Sequence, residues 1–363
     1  MRALVYEGPN KVSLRDDVTV RDPADGEVQV RIVASGLCHS DVSVVNGTIA
    51  WPAPSVLGHE GAGIIETVGA GVTDLKPGDP VVLHTLAHCG RCAHCSAGRP
   101  THCRRTLGNR SEPFERGGQA VGNFAATSTF AERTVVKQQQ AVRIDPNVPL
   151  DVACLIGCGV LTGVGSVIHR ADVAAGETAA VFGIGGVGLN VIQGLRLAGA
   201  SRIIAVDILP EREAMARQFG ATDFVDASQG NSVEQIRALV PDPVSPGASG
   251  VDWTFECSGN RHALADAVAA LGWGGNCLIV GVPAAGTSLD LPIGPMGFVD
   301  RGIMGVRYGS SQPQRDIPAM IALYSGGRLM LDELVTRRYA LEDYEQAFHD
   351  LEHGKLARGV FVF

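Results

Sequence analysis

Residues 179–207 read AAVFGIGGVGLNVIQGLRLAGASRIIAVD. A short apolar run leads into Gly183-Ile184-Gly185-Gly186-Val187-Gly188. An apolar helical pattern follows over 189–197, then a second apolar run over 203–206 that ends in Asp207. A G-x-G-x-x-G string alone is weak in a chain with 46 glycines. Placed between a strand and a helix, with an acidic residue 19 positions beyond Gly188, it has the spacing of a dinucleotide-binding βαβ unit. Gly183 makes the tight turn, and Gly185 lets the backbone approach a pyrophosphate. Gly186 and Val187 open the helix, whose N–H groups face the phosphates, and Gly188 lets helix and strand pack closely. Asp207 is placed to accept hydrogen bonds from a ribose, and its charge repels a 2′-phosphate. The expected cofactor is therefore NAD rather than NADP.

The same tempo continues outward. Apolar runs at 251–255 and 277–281 alternate with helical patterns at 211–219 and 262–270, which predicts a parallel sheet with crossover helices. Residues 1–150 read instead as β-rich. Short runs at 28–33, 61–68 and 81–83 are separated by Asp25-Gly26, Pro77-Gly78-Asp79 and Asp145-Pro146-Asn147. The tail from Gly305 holds two amphipathic stretches and closes on an apolar strand, 359–363, able to rejoin the N-terminal region. Residues 241–249 read as a surface loop. A length of 363 residues with 45% hydrophobic content suits two packed domains and excludes a disordered chain. A net charge of −8 opposes nonspecific binding to nucleic acid or an anionic membrane. Glu7 and Pro9 interrupt any signal-like run, and no apolar stretch is long enough to span a bilayer, so the expectation is a cytoplasmic protein.

Four of the nine cysteines crowd together as Cys89-x-x-Cys92-x-x-Cys95-x7-Cys103. Four thiolates at this spacing can close a tetrahedral shell around Zn²⁺ with no open position, which is a structural site. His88, His94 and His102 among them read as solvated loop residues. Cys38, His59 and Cys158 lie in three separate glycine-flanked segments. Each alone is more often core than ligand, but Cys₂His with one open position is the pattern of a catalytic zinc. Cys154, Cys257 and Cys277 lie in apolar runs and read as core.

These motifs, with Gly36–Asp41, Gly58-His59-Glu60-Gly61, residues 127–130, residues 157–162, Val280-Gly281-Val282-Pro283 and Arg358-Gly359, run almost end to end. In this order the sequence resembles the zinc-dependent medium-chain alcohol dehydrogenases. The resemblance implies an α/β architecture: a β-rich GroES-like catalytic domain from residues 1–159 and 307–363, with a Rossmann NAD-binding domain, 160–306, inserted. Substrate and cofactor are expected to meet in the cleft between them. It implies two zinc ions per chain, the catalytic one on Cys38, His59 and Cys158. Asp41 is expected to orient His59, and Glu60 to lie behind the metal or to partner a nearby cation. Ser40 matches the hydroxyl that relays the alcohol proton. His39 and Arg358 match pyrophosphate contacts and Arg212 a basic residue near the adenosine ribose. Thr162, Val187, Val280 and Val282 match positions around the nicotinamide end. Where the family often carries a relay histidine, this chain has Ser43, and a serine is no base near neutral pH, so the proton is expected to leave through water.

The implied reaction is reversible oxidation of an alcohol to its aldehyde. Zinc favours alkoxide over alcohol, and hydride passes to the nicotinamide. Ile49, Trp51 and Thr85 fall at or beside positions that line the family's substrate channel, and the wide face of Trp51 favours medium, apolar or aromatic primary alcohols. Residues 106–127, with Phe114, Phe124, Arg105, Arg110 and Arg116 in or beside them, read as a loop near the channel mouth. A thiol-dependent formaldehyde dehydrogenase, using glutathione or mycothiol, is the alternative. A non-catalytic zinc- and nucleotide-binding protein is the remote one. The resemblance also implies a homo-oligomer, with a dimer favoured over a tetramer.

Overall fold

The segment 179–207 folds as a strand, Thr178–Phe182, a helix, Gly186–Ala198, and a parallel strand, Arg202–Asp207. The computed structural model describes residues 1–363, with the side chains of Pro246 and Pro295 excepted. Two compact units divide the chain: Met1–Gly159 with Ser311–Phe363, and Val160–Ser310.

The second unit is built on one all-parallel sheet. Its spatial order is Asp223–Asp226, Arg202–Asp207, Thr178–Phe182, Val251–Glu256, Leu271–Ile279 and Gly302–Gly305. The strand order reverses direction beside Thr178–Phe182, and ligands of such sheets bind outside the carboxyl ends at that point. Ala180, Phe182, Ile204, Val206 and Val251 are buried in one core cluster, which is why these strands read as continuous apolar runs. The strand read at 277–281 starts earlier, at Leu271, and stops at Ile279. The N–H groups of Val280 and Gly281 turn instead to the carbonyl of Glu256.

The first unit is β-rich. One sheet runs Ala141–Arg143, Pro80–Leu83, Glu60–Val68, Glu27–Leu37, Arg358–Val362 and Val335–Tyr339, with Arg133–Lys137 also on Glu27–Leu37. The C-terminal strand does rejoin the N-terminal region, pairing Gly359 with Leu37. The two amphipathic stretches of the tail are the helices Pro313–Ser325 and Tyr344–Glu352. A second sheet contains Phe114–Arg116 and Gln119–Asn123, an antiparallel pair. Residues 106–127 are therefore not the loop the sequence suggests. Glycines and charges hid a short hairpin whose Phe114 and Val121 face a core cluster. No single helix among the described residues is long and apolar enough to cross a membrane.

Glu27 pins several of these segments. Its buried carboxylate accepts bonds from Arg21 (2.7 Å), Ala24 N (3.0 Å), Ser111 Oγ (2.7 Å) and Lys137 Nζ (2.8 Å). Burial pushes the carboxyl up, but these partners, Arg21 and Lys137 foremost, outweigh it and hold it at about 2. A depressed folded-state value means stability that is complete above the unfolded value near 4.5 and is lost as pH falls toward 2. Glu27→Gln is expected to lower stability at pH 7 by about 1–3 kcal/mol and to flatten the dependence between those limits. Urea unfolding of both proteins across that pH range measures it.

Candidate active site and metal centres

Two antiparallel strands bring the first two candidate ligands together. In the register of Glu27–Leu37 with Glu60–Val68, Gly36 lies opposite Glu60, so Cys38 and His59 leave neighbouring strand ends. A Cβ on Gly36 would overlap the Glu60 carboxylate and the Leu155 side chain, which is why this position has none. Cys38 begins the short helix His39–Val45, and Asp41 lies in its first turn. The fully buried Asp41 carboxylate accepts from Cys38 N (3.2 Å) and Gly58 N (3.1 Å) and meets His59 Nδ1 at 3.3 Å. It therefore joins both ligand-bearing segments. Cys158 follows the short helical turn Cys154–Gly157.

The ligating atoms of Cys38, His59, Glu60 and Cys158 all lie within 4.8 Å of one another. A hydrogen bond from Cys158 lowers the Cys38 thiol well below its usual range against the effect of burial, with His59 and Arg358 adding to it. Burial lowers the His59 imidazole, but Asp41 and Cys38 together raise it to about 10. The group thus favours anionic sulfur beside a cation, the condition a divalent metal meets by displacing protons. Glu60 and Arg358 form a buried ion pair, so the cation expected for Glu60 is Arg358, 298 residues away. Glu60 Oε1 is buried without a hydrogen-bond partner, and a carboxylate oxygen of Glu60 lies within 4.8 Å of the sulfur and nitrogen donors. Two sulfurs, one imidazole and an orphaned carboxylate oxygen suit Zn²⁺ and not Mg²⁺ or Ca²⁺. Ser40 Oγ lies 3.9 Å from Cys38 Sγ.

The sulfurs of Cys89, Cys92, Cys95 and Cys103 form the other group within 4.8 Å. Cys92 and Cys95 are 3.5 Å apart, close to the roughly 3.8 Å edge of a tetrahedral Zn–S₄ shell. Backbone N–H groups, that of Arg91 first, bring the Cys89 thiol down to about 6. His94 and His102 meet edge to face at 5.7 Å, and His88 Nδ1 is 3.2 Å from Leu86 O.

Aromatic rings flank His59. Phe124 meets it edge-on at 5.5 Å, Trp51 meets Phe124 at 4.9 Å, and the Arg110 guanidinium lies over Trp51 at 5.4 Å. Trp51 Nε1 is buried and unpartnered. Ile49 packs with Trp51 on the same core cluster, and Thr85 is half-buried just past the Pro80–Leu83 strand. Phe124, expected on a loop near the channel mouth, stands edge-on to His59. Arg116 is held by Glu7 (2.7 Å) and Arg110 lies 3.6 Å from Glu112, whereas Arg105 is exposed.

In the second unit, the glycine turn caps the helix Gly186–Ala198. A Cβ on Gly188 would overlap the carbonyl of Gly183, whereas one on Gly185 would meet nothing within 4 Å. Gly188 serves packing, and Gly185 leaves an open hollow at a helix N-terminus, which fits a pyrophosphate. Buried Asp207 accepts from Ile184 N (2.6 Å), Leu209 N (3.0 Å) and Arg212 (3.1 Å), locking the turn to the second strand. Thr162 is half-buried, Val280 is buried and Val282 is 65% exposed. His39, in the first unit, is exposed.

Known proteins share this architecture. Residues 24–146 match the alcohol dehydrogenase GroES-like domain, and residues 186–326 match the zinc-binding dehydrogenase family. S-(hydroxymethyl)glutathione dehydrogenase of Saccharomyces cerevisiae is 38% identical, with 99% of this chain and 95% of that protein covered. NDMA-dependent alcohol dehydrogenase of Amycolatopsis methanolica is 36% identical, with 99% and 98% covered. The crystal structure of benzyl alcohol dehydrogenase from Acinetobacter calcoaceticus matches with a TM-score of 0.91 at 32% identity, covering 100% of this chain and 99% of that one. The chain belongs to the zinc-containing medium-chain alcohol dehydrogenase family and is a zinc-dependent, NAD(P)-linked oxidoreductase of that family.

Proposed function

We propose that this protein oxidises medium-sized apolar or aromatic primary alcohols to aldehydes with NAD, reversibly. The observation that carries the reading is the Cys38–His59–Cys158 group, with Cys38 and His59 buried and Cys158 half-buried, braced by one carboxylate, in a chain that also has a complete dinucleotide turn. Cys38, His59 and Cys158 would hold the catalytic ion, and Cys89, Cys92, Cys95 and Cys103 the structural one. Bound zinc supplies Lewis acidity toward the alcohol oxygen, and bound NAD supplies the hydride acceptor.

The chain's own groups do the rest. Asp41 fixes the tautomer and angle of His59. Arg358 holds one oxygen of Glu60 and balances the charge of that carboxylate beside the three ligands. Ser40 Oγ, 3.9 Å from Cys38 Sγ, would accept the hydroxyl proton beside the ligands. Past Ser43, water carries it out. Gly185, Gly186 and the helix N-terminus would receive the pyrophosphate, and Thr162, Val187, Val280 and Val282 would line the nicotinamide end. Asp207, steadied by Arg212, accepts the adenosine ribose hydroxyls and disfavours a 2′-phosphate. Trp51, Phe124, Ile49 and Thr85 form the wall against which an aryl or alkyl group packs.

The yeast relative gives one specific reason for a second reading, oxidation of a thiol–formaldehyde adduct. Against it, Arg110 and Arg116 are already engaged by Glu112, Trp51 and Glu7. The assembly we infer is a homodimer. The Gly302–Gly305 strand ends its sheet, and beside it Trp273 and Phe298 meet edge-on at 6.2 Å while exposed by 56% and 82%, an edge and apolar patch suited to a second copy.

NADH-coupled assays over alcohols and aldehydes, including formaldehyde with and without glutathione or mycothiol, test the reading together with metal analysis. The expected result is two zinc per chain, benzyl-type alcohols ahead of ethanol, and NAD ahead of NADP by about tenfold or more. Turnover confined to formaldehyde plus thiol would select the second reading. Asp41→Ala should weaken the catalytic zinc by about 10–100-fold and leave the four-cysteine site filled, which chelator titration reads. Trp51→Ala should raise KM for bulky alcohols by about tenfold and leave ethanol nearly unchanged. A selective loss of ethanol turnover would contradict the assigned wall.

A further inference from the structure

Glu256 ends the Val251–Glu256 strand and is 1% exposed. Sequence reading passed over it, although an acidic residue closing an apolar strand ahead of Ser258-Gly259 is an unusual thing to bury. Its carboxylate folds back onto the following turn. Oε1 accepts from Ser258 N (2.7 Å), from Ser258 Oγ and from Gly259 N (2.9 Å), and Oε2 from Gly259 N (3.1 Å). These donors are all neutral. A carboxylate held this way is fixed in place while its charge stays uncancelled.

Its surroundings are the carboxyl ends of three adjacent strands. Ser258 packs against Gly183, where an added Cβ would come within 2.9 Å of the serine Cβ. Val280 N and Gly281 N both donate to Glu256 O, at 2.9 and 2.8 Å, and a Cβ on Gly281 would lie 3.0 Å from Glu256 Oε2. The glycine turn, the 257–260 turn and the 280–282 segment therefore close around this one carboxylate. Asp207 marks the adenosine side of the sheet, beyond Thr178–Phe182 in one direction. Glu256 lies in the other direction, so a dinucleotide laid across the switch point brings its nicotinamide half toward Glu256. The charge is already felt locally. Burial first and then Glu256 raise the Cys257 thiol well above its usual range, and the same pair of effects holds Cys277 at about 11 despite a hydrogen bond from Thr254.

We propose that Glu256 is a positioning and charge-setting residue of the nucleotide site, shaping the turn under the nicotinamide and favouring the oxidised, positively charged ring over the neutral reduced one. The proposal rests on the assignment of this unit as the NAD site. The nicotinamide of NAD⁺ carries a formal positive charge that is absent in NADH, so a fixed negative charge nearby changes the ratio of their affinities. A purely structural role would change both alike.

Equilibrium titration of NAD⁺ and NADH against the zinc-loaded protein provides the test, with the melting temperature taken as a fold control. Glu256→Gln keeps an acceptor oxygen and loses the charge. It is expected to weaken NAD⁺ relative to NADH by about three- to tenfold. Ser258→Lys keeps Glu256 but exchanges its Ser258 Oγ donor for an ammonium set beside it from an exposed position, so it offsets the same charge where Glu256→Gln does not fold. The same direction of shift is expected, because any attraction of the lysine for the pyrophosphate acts on both cofactors and cancels in the ratio. A ratio within twofold of the parent in every folded variant overturns the proposal. A parent protein that binds neither cofactor overturns the NAD assignment instead.

Discussion

The Asp41 carboxylate is the interaction on which the metal-binding half of the molecule depends. It is fully buried, yet it meets the backbone of Cys38, the backbone of Gly58 and the ring of His59. Its two oxygens thereby fix the start of a helix, the segment leading into the Glu60–Val68 strand and the orientation of a ligand. The β register supplies the coarse alignment. A slip by one residue between Glu27–Leu37 and Glu60–Val68 would turn the facing side chains to opposite sides of the sheet. Asp41 supplies the fine alignment, on the scale of a hydrogen bond. Metal sites tolerate errors of only about 0.2 Å in ligand distance, so a sheet alone could not build one.

Charge explains why so many polar groups are buried here. Two thiols, a histidine, two carboxylates and an arginine share a small volume, and each is costly to remove from water alone. Glu60 and Arg358 compensate each other through one oxygen and one nitrogen, which leaves Glu60 Oε1 and Arg358 Nε without partners. Those orphans mark a site whose polar groups are completed by something other than protein. The strand carrying Arg358 pairs with the one ending at Cys38, so the closing strand of the sheet also delivers the counter-charge.

Where sequence reasoning succeeded, the cause was local. Cys89 to Cys103 lie within one loop and need no long-range partner to be recognised, and the Gly183–Gly188 turn sits inside a single βαβ unit. The parallel strands were legible because burial on both faces imposes an unbroken apolar pattern. The pairing of Glu60 with Arg358 was not legible, because nothing in either neighbourhood encodes a partner 298 residues away. The hairpin in 106–127 escaped for a different reason. Its strands are three and five residues long, too short for a period of two to stand out against glycine and arginine. Glu256 escaped because most of its partners are backbone N–H groups, which leave no trace in side-chain pattern.

The aromatic wall beside His59 rests on backbone that the sequence alone does not reveal. Ala125, Ala126 and Ser128 have φ of 50°, 65° and 45°, a left-handed conformation that costs a non-glycine residue about 1 kcal/mol or more. Such strain persists only where surrounding bonds over-determine it. Gln140 Nε2 donates to Ala126 O at 3.0 Å, Thr134 Oγ1 donates to Thr127 O at 2.5 Å, and Ser128 Oγ donates to Val56 O at 2.7 Å while accepting from Phe124 N at 2.8 Å. These donors are buried, so the competition from water that weakens exposed hydrogen bonds is small. The result is a rigid seat for Phe124 between Trp51 and His59. Glycine at 125 or 126 would remove the strain, but it would also free the turn. Alanine with a fixed φ keeps Phe124 in one orientation, so the ring pair of Phe124 and Trp51 beside His59 is already formed.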